Sequence, residues 1–166
     1  MIEELSESEI EAFLRRQLVG RVGCHAFGRT YVVPVIYVWD DGYVYVQSME
    51  GRKIRMMRAN PEVCFEVDEY ETSGSWRSVI IEGVFEELEG SAAEAALALL
   101  VQRFVGRRER AETEDRSSGR TPVAFRIRCT QATGRRVTRT PATKAMTRAG
   151  VVLSRRRARR LRRSSS

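Results

Sequence analysis

Apolar residues recur at helical spacing in three short stretches of this chain and at alternate positions over most of the rest. The first helical stretch is residues 6–19, where Ile10, Phe13, Leu14 and Leu18 fall on one face. Ser6 followed by Glu9 predicts a capping box: the hydroxyl accepts from the third helical amide while the carboxylate returns to the cap. Gly20 is expected to end this helix. The period then changes to two. Residues 21–27 and 30–39 read as strands joined at Gly28-Arg29, and Asp40-Asp41-Gly42 is a hairpin turn into a strand at 43–47. There Val44 and Val46 alternate with Tyr43, Tyr45 and Gln47, so one face is core and the other a lined or solvated surface.

Residues 51–59 predict a short helix with Ile54, Met56 and Met57 inward, stopped by Asn60-Pro61, because a residue before proline is pushed out of the helical region. A strand at 62–67, a polar loop at 69–75 and a long strand at 76–88 follow, with Gly83 at an expected bulge. Ser91 is the expected cap of a helix at 92–105, its stripe formed by Leu97, Leu100, Val101 and Phe104. Residues 107–120 are a charged loop, and 122–129 the last strand. Five or six antiparallel strands with two or three helices predict an α+β fold, a small closed barrel.

Length and composition limit the alternatives. The chain has 166 residues, 42% of them hydrophobic, enough to bury the core of one domain. It has no uncharged apolar run of about 18 residues, so no membrane span is expected. Its acidic, amphipathic start does not read as a signal peptide. Cys24, Cys64 and Cys129 lack ligand spacing and read as thiols in a reducing compartment, so the expectations are no metal site and a cytoplasmic location. The net charge of +7 belongs to the end of the chain: residues 135–166 hold eleven Arg, one Lys and no acid, leaving the preceding part with 22 acidic and 17 basic side chains. Residues 1–135 are therefore expected to be the domain and 136–166 a basic, disordered tail. The tail lacks interleaved aromatics, so contact with nucleic acid is expected to be non-specific.

The segment with most chemical content runs from Gln47 to Lys53. A helix N-terminus offers amides and a positive dipole end, Gly51 allows close approach, Ser48 adds a hydroxyl, and Arg52 and Lys53 add charge. Together they suit a terminal phosphomonoester. Taken alone, they read first as a solvated basic first turn without a ligand, because short motifs often mislead.

Their neighbours change that reading. Tyr31-Val32-Val33-Pro34-Val35-Ile36-Tyr37, then Asp41-Gly42, Ser48, Gly51-Arg52-Lys53-Ile54, Asn60-Pro61-Glu62-Val63 and Trp76-Arg77-Ser78-Val79-Ile80-Ile81-Glu82-Gly83 occur in this order. The order resembles the pyridoxamine 5′-phosphate oxidase-related family of FMN-binding split β-barrels, and within it the nitroimidazole-resistance-like branch of flavin-nucleotide-binding proteins, over residues 5–135. The resemblance implies FMN as cofactor, with the backbone of Val33, Pro34 and Val35 beside the isoalloxazine ring and Ser48, Arg52 and Lys53 on the phosphate. It implies a homodimer, with Ser78, next to Trp76 and Arg77, offered to the flavin across the subunit interface. The branch often has His-Ser where this chain has Gln47-Ser48, and the Arg-x-His element of the full oxidase has no counterpart.

A flavin carries its own redox chemistry, so no catalytic triad or paired-carboxylate site is required. The expected function is therefore an FMN-dependent oxidoreductase acting on a small molecule, with a nicotinamide nucleotide as donor. The alternatives are a flavin carrier or sensor, or a haem- or deazaflavin-binding relative. Tyr37 and Trp76 are candidates either for stacking on the flavin or for ordinary packing. His25, the only histidine, has no partner visible in the sequence and reads as an ordinary strand residue.

Overall fold

The computed structural model of the protein describes residues 1–104 and 121–139. In chain order the elements are β1 (Ile2–Glu4), α1 (Glu7–Arg16), β2 (Val19–Ala26), β3 (Arg29–Ile36), β4 (Val38–Asp40), β5 (Tyr43–Met49), α2 (Arg52–Ala59), β6 (Glu62–Tyr70), β7 (Trp76–Leu88), α3 (Gly90–Phe104) and β8 (Pro122–Val137). The capping box forms: the Glu9 amide donates to Ser6 Oγ at 3.4 Å, and the Ser6 amide to Glu9 Oε2 at 2.9 Å. The helix ends at Arg16, three residues before its expected end, and Gly20 belongs to β2. A Cβ on Gly20 would lie 2.2 Å from the Phe65 ring, so this glycine lets one strand pass over an aromatic core residue and does not terminate the helix.

The eight strands form one antiparallel sheet in the order β3-β2-β6-β7-β8-β5-β4, with β1 added to the end of β8. Its two ends, β3 and β4, are joined in sequence by Tyr37 alone, so the sheet curls round and encloses the core. Phe13, Leu14, Tyr37, Ile54, Met57, Phe65, Ile81, Phe125 and Ile127 fill that core with side chains almost fully removed from water. Each such side chain is worth roughly 1.5–3 kcal/mol relative to exposure. Ile54, Met56 and Met57 of α2 are buried as expected.

Two turns of the same type set the hairpins. Asp41 and Gly42 both have positive φ (45° and 81°), as do Phe27 and Gly28 (55° and 68°), the signature of a two-residue turn matched to strand twist. The second turn is therefore Phe27-Gly28, one residue earlier than expected. Between Glu82 and Gly83 the register against β8 shifts, confirming the expected irregularity. A Cβ on Gly83 would meet the Ile127 side chain at 2.6 Å and the Arg128 carbonyl at 2.7 Å.

Other expectations need correction. The strand expected at 30–39 breaks at Tyr37, and β6 runs on to Tyr70. Helix α3 starts at Gly90, so Ser91 lies inside it; Ala96 and Leu100 are buried, while Leu97, Val101 and Phe104 are half-buried. Strand β8 continues to Val137, because its far end pairs with β7 on one side and β1 on the other. Arg136 and Val137, expected in the tail of 136–166, belong to β8; the charged loop expected at 107–120 and the rest of that tail from 140 lie outside the described residues. No helix among the described residues is long and apolar enough to cross a membrane.

Candidate functional site

Strand β3 ends the strand order, so one side of its backbone has no strand pairing among the described residues. Facing its Tyr31 is the junction of β5 and α2. Together they line a cleft of 640 Å³ formed by Tyr31, Met49, Glu50, Gly51, Arg52, Lys53, Arg55 and Thr121. That volume lies within the usual range for a cofactor or small-molecule site.

The junction is shaped by local sequence. Gly51 is the N-cap of α2 and makes no side-chain capping bond, and the first helical bond closes from the Arg55 amide to the Gly51 carbonyl at 3.1 Å. The amides of the first turn of α2 have no partner within the helix. A Cβ on Gly51 would meet only the Met49 carbonyl, at 3.8 Å, so the fold itself does not demand a glycine there and the space above it stays open.

Arg52 lies over the Tyr31 ring, its guanidinium carbon 4.9 Å from the centroid. This cation–π contact holds the charge at the cleft mouth. Lys53 and Arg55 add two cations and Glu50 one carboxylate, so the described lining carries a positive excess. Beneath Tyr31, Cys24 is buried, and its thiol reaches the Tyr31 carbonyl at 3.7 Å. Burial pushes that thiol pKa up, with the nearby Arg52 charge pulling the other way.

Of the residues singled out in the sequence, Arg52 and Lys53 come together here. Ser48 does not line the cleft; it is half-buried, and its hydroxyl donates to the Met49 carbonyl at 3.4 Å. Val33, Pro34 and Val35 follow Tyr31 along β3, about 7–13 Å away at about 3.3 Å per residue. The Val35 side chain is buried in the core, so only its backbone is offered outward.

Tyr37 is a correction. It is 0% exposed, its hydroxyl donates to the Leu14 carbonyl at 2.7 Å, and its ring packs edge-on against Phe65. Burial pushes its phenol pKa up. It is a core residue out of reach of any ligand in the cleft.

Trp76 and Ser78 also lie elsewhere in this chain. They begin β7 and pair with Val137 and Arg135, whereas the other end of β7, at Leu88, pairs with Ala124 close to the cleft. Ten residues of strand put Ser78 about 30 Å from that end. Ser78 instead shares the outward face of the sheet with Ile80, Val19 and Ile36, the last three 45–53% exposed. His25 is exposed on β2, with Nδ1 3.0 Å from Thr30 Oγ1, and does not line the cleft.

Sequence reasoning missed Tyr31, Glu50, Arg55 and Thr121. Arg55 follows Arg52 by three on α2, a helical spacing that could have found it. Thr121 arrives from a remote segment and left no local signal.

The profile of the pyridoxamine 5′-phosphate oxidase family matches residues 6–136. The chain belongs to this family. A FAD-binding protein of Mesorhizobium loti has 32% identity and a TM-score of 0.71, with 84% of this chain and 98% of that one covered. The antiparallel sheet of the described residues, with its three helices, matches the split-barrel fold of such neighbours. A 5-nitroimidazole antibiotic resistance protein of Bacteroides thetaiotaomicron shares the fold at 20% identity, TM-score 0.66, covering 82% of this chain and 87% of its own. An uncharacterized Rhizobium meliloti protein is 31% identical over 84 residues, and the match spans 51% of this chain and 56% of that relative. Within this pyridoxamine 5′-phosphate oxidase family member, the cleft at the β5–α2 junction brings together the cations Arg52, Lys53 and Arg55, a helix N-terminus and, among the described residues, a strand edge without a pairing partner.

Proposed function

We propose that the protein is a homodimeric, cytoplasmic FMN-dependent oxidoreductase acting on a small molecule, with NADH or NADPH as electron donor. The carrying observation is the cleft itself, where the open edge of β3 faces Arg52, Lys53 and Arg55 at the start of α2. Arg52 and Lys53 hold the phosphate by charge and hydrogen bonding. The backbone of Val33, Pro34 and Val35 borders the ring, and the ribityl chain spans the stretch back to Tyr31. Bound FMN supplies two-electron redox chemistry. The protein's own contribution is to fix the nucleotide at its two ends and to leave room beside the ring for a substrate.

Ser78 lies on an outer face that supports a second subunit. Within one chain it is far from the cleft, while the outer face it occupies carries exposed Val19, Val32, Ile36 and Ile80 around the Arg21–Glu66–Asp68 ion cluster. Apolar area of this kind on a sheet face supports a subunit interface. An isologous dimer through it brings Ser78 and Trp76 of one protomer toward the flavin edge of its partner.

The FAD-binding relative supports the same phosphate-and-ring chemistry with a larger nucleotide; the cations at the start of α2, suited to a terminal monophosphate, support FMN. A flavin carrier without turnover is the second reading. Its support is that Arg52, Lys53 and Arg55 suit holding a nucleotide, which a carrier needs as much as an enzyme does. Purified protein reconstituted with FMN should show the two flavin absorbance bands and oxidise NADH or NADPH in the presence of a suitable acceptor from a panel of quinones and nitroaromatics. Flavin bands without any nicotinamide oxidation would leave the carrier reading; no flavin binding would overturn both.

A further inference from the structure

Glu50 is out of place in a phosphate site. It immediately precedes the N-cap Gly51 and lines the cleft beside Arg52, Lys53 and Arg55. A carboxylate within about 8–10 Å of a phosphate opposes it through incompletely screened repulsion. Its side chain is nevertheless taken up by Arg58. Arg58 Nη1 donates to Glu50 Oε1 at 3.1 Å, and Nη2 lies 2.9 Å from Glu50 Oε2. Arg58 is in turn held by Glu87 of β7 through two parallel bonds, Nε to Oε2 and Nη2 to Oε1, each 2.7 Å.

The arrangement spans a helix. Arg58 belongs to the last turn of α2, about 9 Å along the axis from Arg52. It reaches back to the residue that precedes the first turn. It does not line the phosphate cleft; it lies with Glu87 in the neighbouring 380 Å³ groove, which shares Glu50 and Thr121 with that cleft. The main chain at Glu50 is fixed separately, since its amide donates to the Thr121 carbonyl at 2.8 Å. Arg58 therefore governs the direction and charge of the Glu50 carboxylate.

We propose that Arg58 is a positioning residue for phosphate binding: held by Glu87, it ion-pairs with Glu50 and draws that carboxylate toward the far end of α2, so that Glu50 opposes the nucleotide's phosphate less. This rests on the FMN reading above. Its signature is selective. Loss of Arg58 should weaken ligands that carry the phosphate and spare the same ring without it, and removal of the Glu50 charge should reverse the loss.

The test titrates flavin-free protein with FMN and with riboflavin, following flavin fluorescence at fixed ionic strength. Arg58→Met should lower FMN affinity about tenfold while riboflavin affinity changes far less, and Glu50→Gln added to Arg58→Met should restore most of the FMN affinity. Should Arg58→Met not fold, Arg58→Lys keeps the charge but not the two-pronged grip, and should show the same selective loss in smaller measure. Equal losses for FMN and riboflavin, or no rescue by Glu50→Gln, would overturn the role and leave Arg58 a structural residue. Wild-type protein with no preference for FMN over riboflavin would overturn the phosphate site itself.

Discussion

The Tyr37 hydroxyl donates to the Leu14 carbonyl at 2.7 Å, tying the break between β3 and β4 to the last turns of α1. The bond satisfies a buried phenol at the one residue where the two ends of the sheet meet. Tyr37→Phe keeps the ring against Phe65 and removes the donor. It should cost about 1–2 kcal/mol and lower the melting temperature, with FMN affinity unchanged. A loss of flavin binding at full stability would return Tyr37 to the site.

Gly83→Ala should destabilise the fold by about 1–3 kcal/mol, because the added methyl enters space held by the Ile127 side chain and the Arg128 backbone. Chemical denaturation measures this. Gly51→Ala is the contrasting variant: its methyl meets no protein atom closer than 3.8 Å, so stability should hold while the cleft narrows and FMN affinity falls.

The outer face of β2, β3 and β7 offers a test of assembly. Ile36→Glu combined with Ile80→Glu places charge on an exposed apolar surface without touching the core. Light scattering after gel filtration should show a dimer for the wild type and a monomer for the variant, and the monomer should have lost most of its flavin. A variant that stays dimeric would move the interface elsewhere.

Acid stability follows from two carboxylates. The Ser6 amide and hydroxyl, then Arg136, hold Glu9 below the usual value of 4.5, and hydrogen bonds from Arg58 do the same for Glu87. Both bind protons less readily folded than unfolded. Their contribution is therefore complete above the usual value and is lost as pH falls through the lowered ones. Melting temperature should decline from about pH 5 to about pH 3, and Glu87→Gln should flatten part of that decline. Parallel curves for the two proteins would contradict the assignment.

Much of this architecture was legible because its signals are local. The capping box at Ser6, the Asp41-Gly42 turn, the inward methionines of α2 and the irregular Gly83 each depend on neighbours in sequence. What escaped depends on distant pairing. Strand β1 has three residues and no alternation to read, and the end of β8 is arginine-rich; they form because Ile2–Glu4 pairs with Arg135–Val137 and Arg136 bridges Glu3 and Glu9. In the site, Arg52 and Lys53 were legible as a basic first turn. Tyr37 stayed open between stacking and packing because alternation marks a face without saying which face is core. Trp76 and Ser78 were picked out by motif, and a motif does not say where in the fold its residues lie: they begin β7, at the end of that strand away from the cleft. Tyr31 and Thr121 reach the cleft only through the curl of the sheet.

The central claim is that the start of α2 holds a flavin's phosphate. Comparing FMN and riboflavin affinities of the wild type with those of Arg52→Ala/Lys53→Ala tests it most directly. The wild type should favour FMN strongly, increasingly so at low salt, and the double variant should bind both ligands with the same low affinity. Undiminished, stoichiometric FMN in the double variant would contradict it.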